Sequence, residues 1–148
     1  MTLHWKLTID AQDPIAQADF WGRALGYGIE DHSSLIQRLR EQGHLPEGST
    51  TEAYDREVWR DFAAVRHPDD PVDEKGVGLG RRLLFQRVPE SKTTKNRLHL
   101  DVHVGPERRE EEVARLTALG ATVLYRQDQP MGSWTTMADP EGNEFCVE

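Results

Sequence analysis

The chain has a single cysteine, Cys146, in 148 residues, which excludes an internal disulfide and points to a reducing compartment. Positive charge is also short: 18 Lys and Arg stand against 26 Asp and Glu, a formal net charge of −8. A phosphate-backbone partner requires clustered Lys and Arg, and the pairs Arg81-Arg82 and Arg108-Arg109 are isolated. Nucleic acid is therefore excluded as a partner. No apolar run approaches the ~20 residues needed to span a bilayer. The start, Met1 to Lys6, lacks the basic start and apolar core expected of a signal peptide. The expectation is a soluble cytoplasmic protein with no membrane partner, long enough for one well-buried domain over 1–148.

The most informative stretch is Lys95-Asn-Arg-Leu-His-Leu-Asp-Val-His-Val104. Its alternation predicts a buried β-strand with Leu98, Leu100, Val102 and Val104 on one face and Arg97, His99, Asp101 and His103 on the other. Polar side chains on a buried strand are costly unless they meet water, a ligand or a metal. A solvated sheet face and a functional face are the two readings of that pattern.

In chain order, Leu3–Ile9 alternates as a half-buried strand. Asp13-Pro14 then predicts an N-cap with proline at the first helical position, a helix to about Leu25, and a stop at Gly26. The pattern recurs: a strand at Leu98–Val104, a helix opened by Gly105-Pro106, and the stop Ala118-Leu119-Gly120 matching Ala24-Leu25-Gly26. Short strands follow each stop, at Tyr27–Glu30 and Ala121–Arg126. An aromatic residue, a small-residue strand and an acidic proline turn recur at Trp59–Asp70 and Trp134–Asn143. The last strands are Arg82–Val88 and Glu144–Val147. The reading is α+β: tandem β-α-β-β-β modules at about 1–90 and 95–148, forming a curved mixed sheet cup with helices outside. The first module carries an insertion at about 31–55, with an amphipathic helix over Ser33–Gln42 and a loop over Gly43–Thr51. That insertion is open to a second reading as a lid or dimer contact. Asp69–Gly80 is a further loop.

If helices cover the apolar faces, His4, Gln86, His99 and Cys146 all turn into one concavity, each from a different strand. With these residues quoted, the resemblance becomes specific. The duplicated module, its Leu-Gly stops and the stretches Phe85-Gln-Arg-Val-Pro-Glu90, Lys95–Asp101 and Asp139-Pro-Glu-Gly-Asn-Glu-Phe-Cys146 resemble the vicinal oxygen chelate superfamily. Within it they are similar to the glyoxalase-like (glyoxalase–bleomycin resistance–dioxygenase) proteins. The resemblance implies a metal site in the cup, held mostly by His and Glu, whose positions here are His4, Gln86, His99 and Cys146. His4 and His99 match the usual type. Gln86 and Cys146 depart from it, since His or Glu is more usual at the first and Glu at the second.

Two histidines and a thiolate suit one divalent ion such as Zn, Ni, Mn or Fe, with an open position for substrate. Cys146 also has the bland reading of a packed small hydrophobe, and His99 that of a structural hydrogen bond. The candidate ligand pocket comprises Leu84, Gln86, Asp101, His103, Trp134 and Glu144, with Trp134 placed on a loop entering a strand. Two functions follow from the resemblance. One is a metal-assisted lyase, isomerase or dioxygenase acting on a small oxygenated metabolite. The other is a metal-free protein that binds or sequesters a small molecule of antibiotic type. The resemblance further implies a homodimer.

Overall fold

The first structured turn follows from the chemistry of its residues. In the computed structural model, which describes residues 1–148, β1 (Leu7–Ala11) passes into α1 (Pro14–Leu25) through Asp13. The Asp13 carboxylate accepts from the Ala16 N–H at 3.0 Å, and Pro14 occupies the first helical position. Gly26 closes the helix with φ 68° and ψ 30°, a left-handed conformation that glycine adopts without strain. Ala18, Phe20, Trp21 and Ala24 form the buried stripe, with the Phe20 and Trp21 rings edge-on at 5.3 Å. This face packs on β5 (Phe62–Arg66) and β6 (Arg82–Arg87). With β2 (Gly28–Ile29) these strands make a four-stranded sheet in the order β1-β6-β5-β2, parallel only between β1 and β6. Val65 and Phe85 are its most buried residues, while Gln86 lies on the open face.

The repeat is present. β7 (Asp101–Val102), α3 (Arg109–Leu119), β8 (Thr122–Gln129), β9 (Gly132–Ala138) and β10 (Glu144–Val147) form a second sheet in the order β7-β10-β9-β8. The chain thus twice lays down first, fourth, third and second strand side by side, with only first and fourth parallel. Gly120 ends α3 at φ 117°, as Gly26 ends α1. The three glutamates in the first turn of α3, Glu110 to Glu112, complement the positive end of its dipole. The helix starts later than Gly105-Pro106 suggests, because residues 106–108 make a turn first. Compactness divides the chain into an N-terminal unit, Met1–Glu90, and a C-terminal unit, Ser91–Glu148.

Three expectations need correction. The strand predicted from Lys95 is regular only at Asp101–Val102, and Leu98 is 78% exposed, so it is not a buried strand. Its partner β10 has four residues, and ladder bonds along it begin with the Cys146 N–H donating to the Leu100 carbonyl. The strand predicted from Leu3 begins at Leu7 for the same reason: β6 starts at Arg82, and pairing starts at Leu7 opposite Leu83. Leu3 and Trp5 are consequently exposed, at 80% and 86%. In the insertion, α2 (Ser33–Glu41) and its stop at Gly43 are as expected, but the predicted loop runs into a hairpin of β3 (Thr50–Ala53) and β4 (Arg56–Trp59). Its turn residues Tyr54 and Asp55 have φ 55° and 56°, the double positive φ of a type I′ turn.

Candidate functional site

The site grows from the alternation of β10. Phe145 and Val147 are 1% and 0% exposed in the core, so Glu144, Cys146 and Glu148 turn to the other face, as expected. Register then carries a row across the whole sheet. Cys146 pairs with Asp101 on β7 and with Thr136 on β9, and Thr136 pairs with Tyr125 on β8. Tyr125 joins this row because a bulge at Val123/Tyr125 inserts Leu124 and shifts the register by one. Thr136 and Cys146 touch through Oγ1 and Sγ at 3.6 Å. Trp134, two residues before Thr136, shares its face; it is the third residue of β9 itself, not part of a loop entering it. His99, two residues before Asp101, places Nδ1 2.7 Å from Asp101 Oδ1. Together these side chains line a concavity of about 310 Å³, which Lys95 and Glu148 also border.

Donor atoms of His99, Asp101 and Cys146 all lie within 4.8 Å of one another. Three donors held around one ion at ~2.0–2.3 Å sit about 3.3–4.0 Å apart. The set therefore fits one divalent ion once the side chains close by about an ångström. Imidazole, carboxylate and thiolate together suit Zn²⁺ and its first-row neighbours. Burial pushes the Cys146 thiol up, and the charges of Asp101 and Glu148 add to this against the hydrogen bond from Thr136. A bound cation would reverse that balance.

Glu144 lines the same concavity, yet both its oxygens are engaged. Oε1 accepts from Lys92 Nζ at 2.9 Å and Oε2 from the Asn96 N–H at 3.0 Å. Burial acts to raise its carboxyl, but these bonds outweigh it and hold the group down to about 2. His103 pairs with Glu148 at 2.9 Å, is 80% exposed, and does not border the concavity, which corrects its place in the expected pocket. Leu84, Gln86 and His4 belong to the N-terminal unit. Leu84 is half-buried and Gln86 exposed on β6, and His4 lies on the exposed segment ahead of β1. Sequence reasoning missed Lys95, Tyr125, Thr136 and Glu148 as lining residues. Period-two alternation through Trp134 reveals Thr136, whereas the bulge conceals Tyr125.

The Asp139-Pro-Glu-Gly142 turn is structural. The buried Asp139 carboxylate accepts from the Glu141 and Asn143 N–H groups, both at 2.9 Å, which fixes the entry to β10.

Comparison with known proteins agrees with this architecture. The family model for the glyoxalase-like domain matches residues 6–148. No curated protein matches the chain in sequence. Among solved structures, the fosfomycin resistance protein FosX of Mesorhizobium loti superposes with a TM-score of 0.62 at 9% identity, over 100% of this chain and 91% of that one. A FosX of Listeria monocytogenes, solved with Mn(II) and a dihydroxypropylphosphonic acid, gives 0.60 at 10% identity, over 100% and 90%. A glyoxalase/bleomycin resistance protein/dioxygenase family enzyme of Burkholderia phytofirmans gives 0.58 at 16% identity, over 96% and 94%. At such identities the superpositions establish the fold, and the family match establishes membership: the chain belongs to the glyoxalase-like domain family of the vicinal oxygen chelate superfamily.

Proposed function

We propose that the protein is a metal-assisted enzyme acting on a small oxygenated metabolite in the concavity of its C-terminal unit, as a lyase, isomerase or dioxygenase. His99, Asp101 and Cys146 would hold one divalent ion, Zn, Ni, Mn or Fe. The observation that carries this reading is their convergence from β7, the segment just ahead of it and β10, with three unlike donors inside 4.8 Å. Such an ion supplies Lewis acidity to paired substrate oxygens. The chain's own residues do the rest. The Asp101 carboxylate, 2.7 Å from His99 Nδ1, holds the imidazole in place beside the Cys146 thiol. The Lys95 ammonium at the border orients an anionic oxygen, and the Trp134 and Tyr125 rings exclude water from the apolar part of the ligand.

Metal content per chain tests this, measured after purification without chelator and after incubation with each ion. The Mn(II) bound by the Listeria FosX makes manganese a natural first choice. Near one ion per chain is expected for the natural protein, background for His99→Ala, and an affinity weakened at least ~10-fold for Asp101→Asn. Failure to bind any of the ions ends the enzyme reading. The second reading, a metal-free protein sequestering a small molecule, then takes its place on the strength of the aromatic lining. A homodimer in a reducing, cytoplasmic setting accompanies both readings; the lone free Cys146 fits the reducing setting. Light scattering on the eluted peak measures the assembly.

A further inference from the structure

We propose that Glu144 is a positioning residue: it clamps the segment Ser91–Leu100 onto β10 and thereby sets His99 beside Asp101 and Cys146. This inference rests on the site proposed above and names a residue outside its donor set on which that site depends.

The segment ahead of β7 has no regular secondary structure, and apolar burial does not hold it. Leu98, its one large apolar residue before Leu100, is 78% exposed, and Arg97 is exposed beside it. What ties it to the sheet is polar. Glu144 Oε1 accepts from Lys92 Nζ at 2.9 Å, and the same ammonium donates to the Thr94 carbonyl at 2.7 Å, drawing residues 92–94 into a tight loop. Glu144 Oε2 accepts from the Asn96 N–H at 3.0 Å, and the Asn96 side chain donates to Asn143 Oδ1 at 3.0 Å. Three residues after this anchor comes His99, and one residue further the Leu100 carbonyl begins the ladder with the Cys146 N–H at 3.0 Å. His99 is thus strung between Glu144 on one side and the strand on the other. Glu144 is turned to this segment and is not among the converging donors His99, Asp101 and Cys146. Its function is indirect, and it joins the stretches Lys95–Asp101 and Asp139–Cys146, which the sequence marks out without connecting.

The test uses the full chain with ¹⁵N-labelled histidine and backbone, comparing the natural protein with Glu144→Gln and Lys92→Met. The glutamine keeps the shape of the side chain and loses the charge. The methionine releases the other end of the clamp without altering β10. In both variants the amide exchange of Asn96 is expected to rise at least ~10-fold while the amides of Met137 and Phe145 keep their protection. The His99 imidazole nitrogens, assigned by their loss in His99→Ala, should shift towards the averaged positions of a free ring. Zn²⁺ affinity should fall about 10-fold, with a smaller loss for Lys92→Met. Unchanged His99 signals and unchanged Zn²⁺ affinity, in variants whose β9 and β10 amides stay protected, would overturn the clamp. If the natural protein binds no Zn²⁺, it is the metal site that fails. The clamp is then decided by the imidazole signals alone: moved in Glu144→Gln they support it, unmoved they refute it.

Discussion

Glu30 sits at the centre of a buried charge cluster in the N-terminal unit. Its carboxylate is fully enclosed and meets Arg82 through two bonds of 2.7 and 2.8 Å, the Gly78 N–H at 2.7 Å and His32 Nε2 at 3.0 Å. Burial raises its carboxyl, but the bonds from His32, Arg82 and Gly78 prevail and hold it at about 2, against an ordinary value of 4.5. A carboxyl depressed in the folded state stabilises fully above its unfolded value, and that contribution is lost as pH falls through the folded one. The denaturant midpoint should therefore decline between about pH 5 and about pH 2.5, with a shallower decline in Glu30→Gln. At neutral pH the same substitution should cost ~3–5 kcal/mol, because it leaves the Arg82 guanidinium buried without its counter-charge; urea unfolding measures it. Nothing in the sequence singles out Glu30, since Gly78 and Arg82 lie 48 and 52 residues further on. Cys146 is different. Its place opposite Phe145 and Val147 is legible from alternation alone, though its neighbours Asp101 and Thr136 require the register.

At the scale of elements, the helix ends were the most legible features because their chemistry is local. Asp13-Pro14 and Gly26 do what caps and stops do in any chain, and Gly120 repeats it. A Cβ at Gly26 would touch nothing within 4 Å, so Gly26→Ala isolates the cost of a left-handed backbone. A loss of about 1 kcal/mol in thermal or urea unfolding is expected. The β3–β4 hairpin was not legible, because Tyr54-Asp55 lacks the glycine that usually marks such a turn. Asp55→Gly should stabilise the protein by up to about 1 kcal/mol; Tyr54 should be left alone, since its hydroxyl donates to the Ile15 carbonyl. The short β7 shows the limit of periodicity. Alternation from Arg97 to Val104 is genuine, and exposure follows it from His99 onward, but a strand extends only as far as its partner, and β10 has four residues. Lys95 to His99 hold their place through side-chain clamps that no period announces.

For the whole molecule, duplication was readable from the paired Leu-Gly stops, and the two sheets repeat the same strand order. The match to the glyoxalase-like domain over residues 6–148 places that duplication in its family. A shared scaffold hosts many reactions, so function has to be argued from the site. Here the site is the row Asp101–Cys146–Thr136–Tyr125 with His99 beside it, and the claim that matters most is that Cys146 is a ligand and not merely packed. Its thiol is pushed up by burial and by the neighbouring carboxylates. An ion that takes it as thiolate must displace its proton. Calorimetric titration of Zn²⁺ at about pH 7.5, in two buffers of different ionisation enthalpy, counts the protons released. The natural protein should release about one proton per ion more than Cys146→Ser. Equal proton counts and equal affinity in the two proteins would contradict the account.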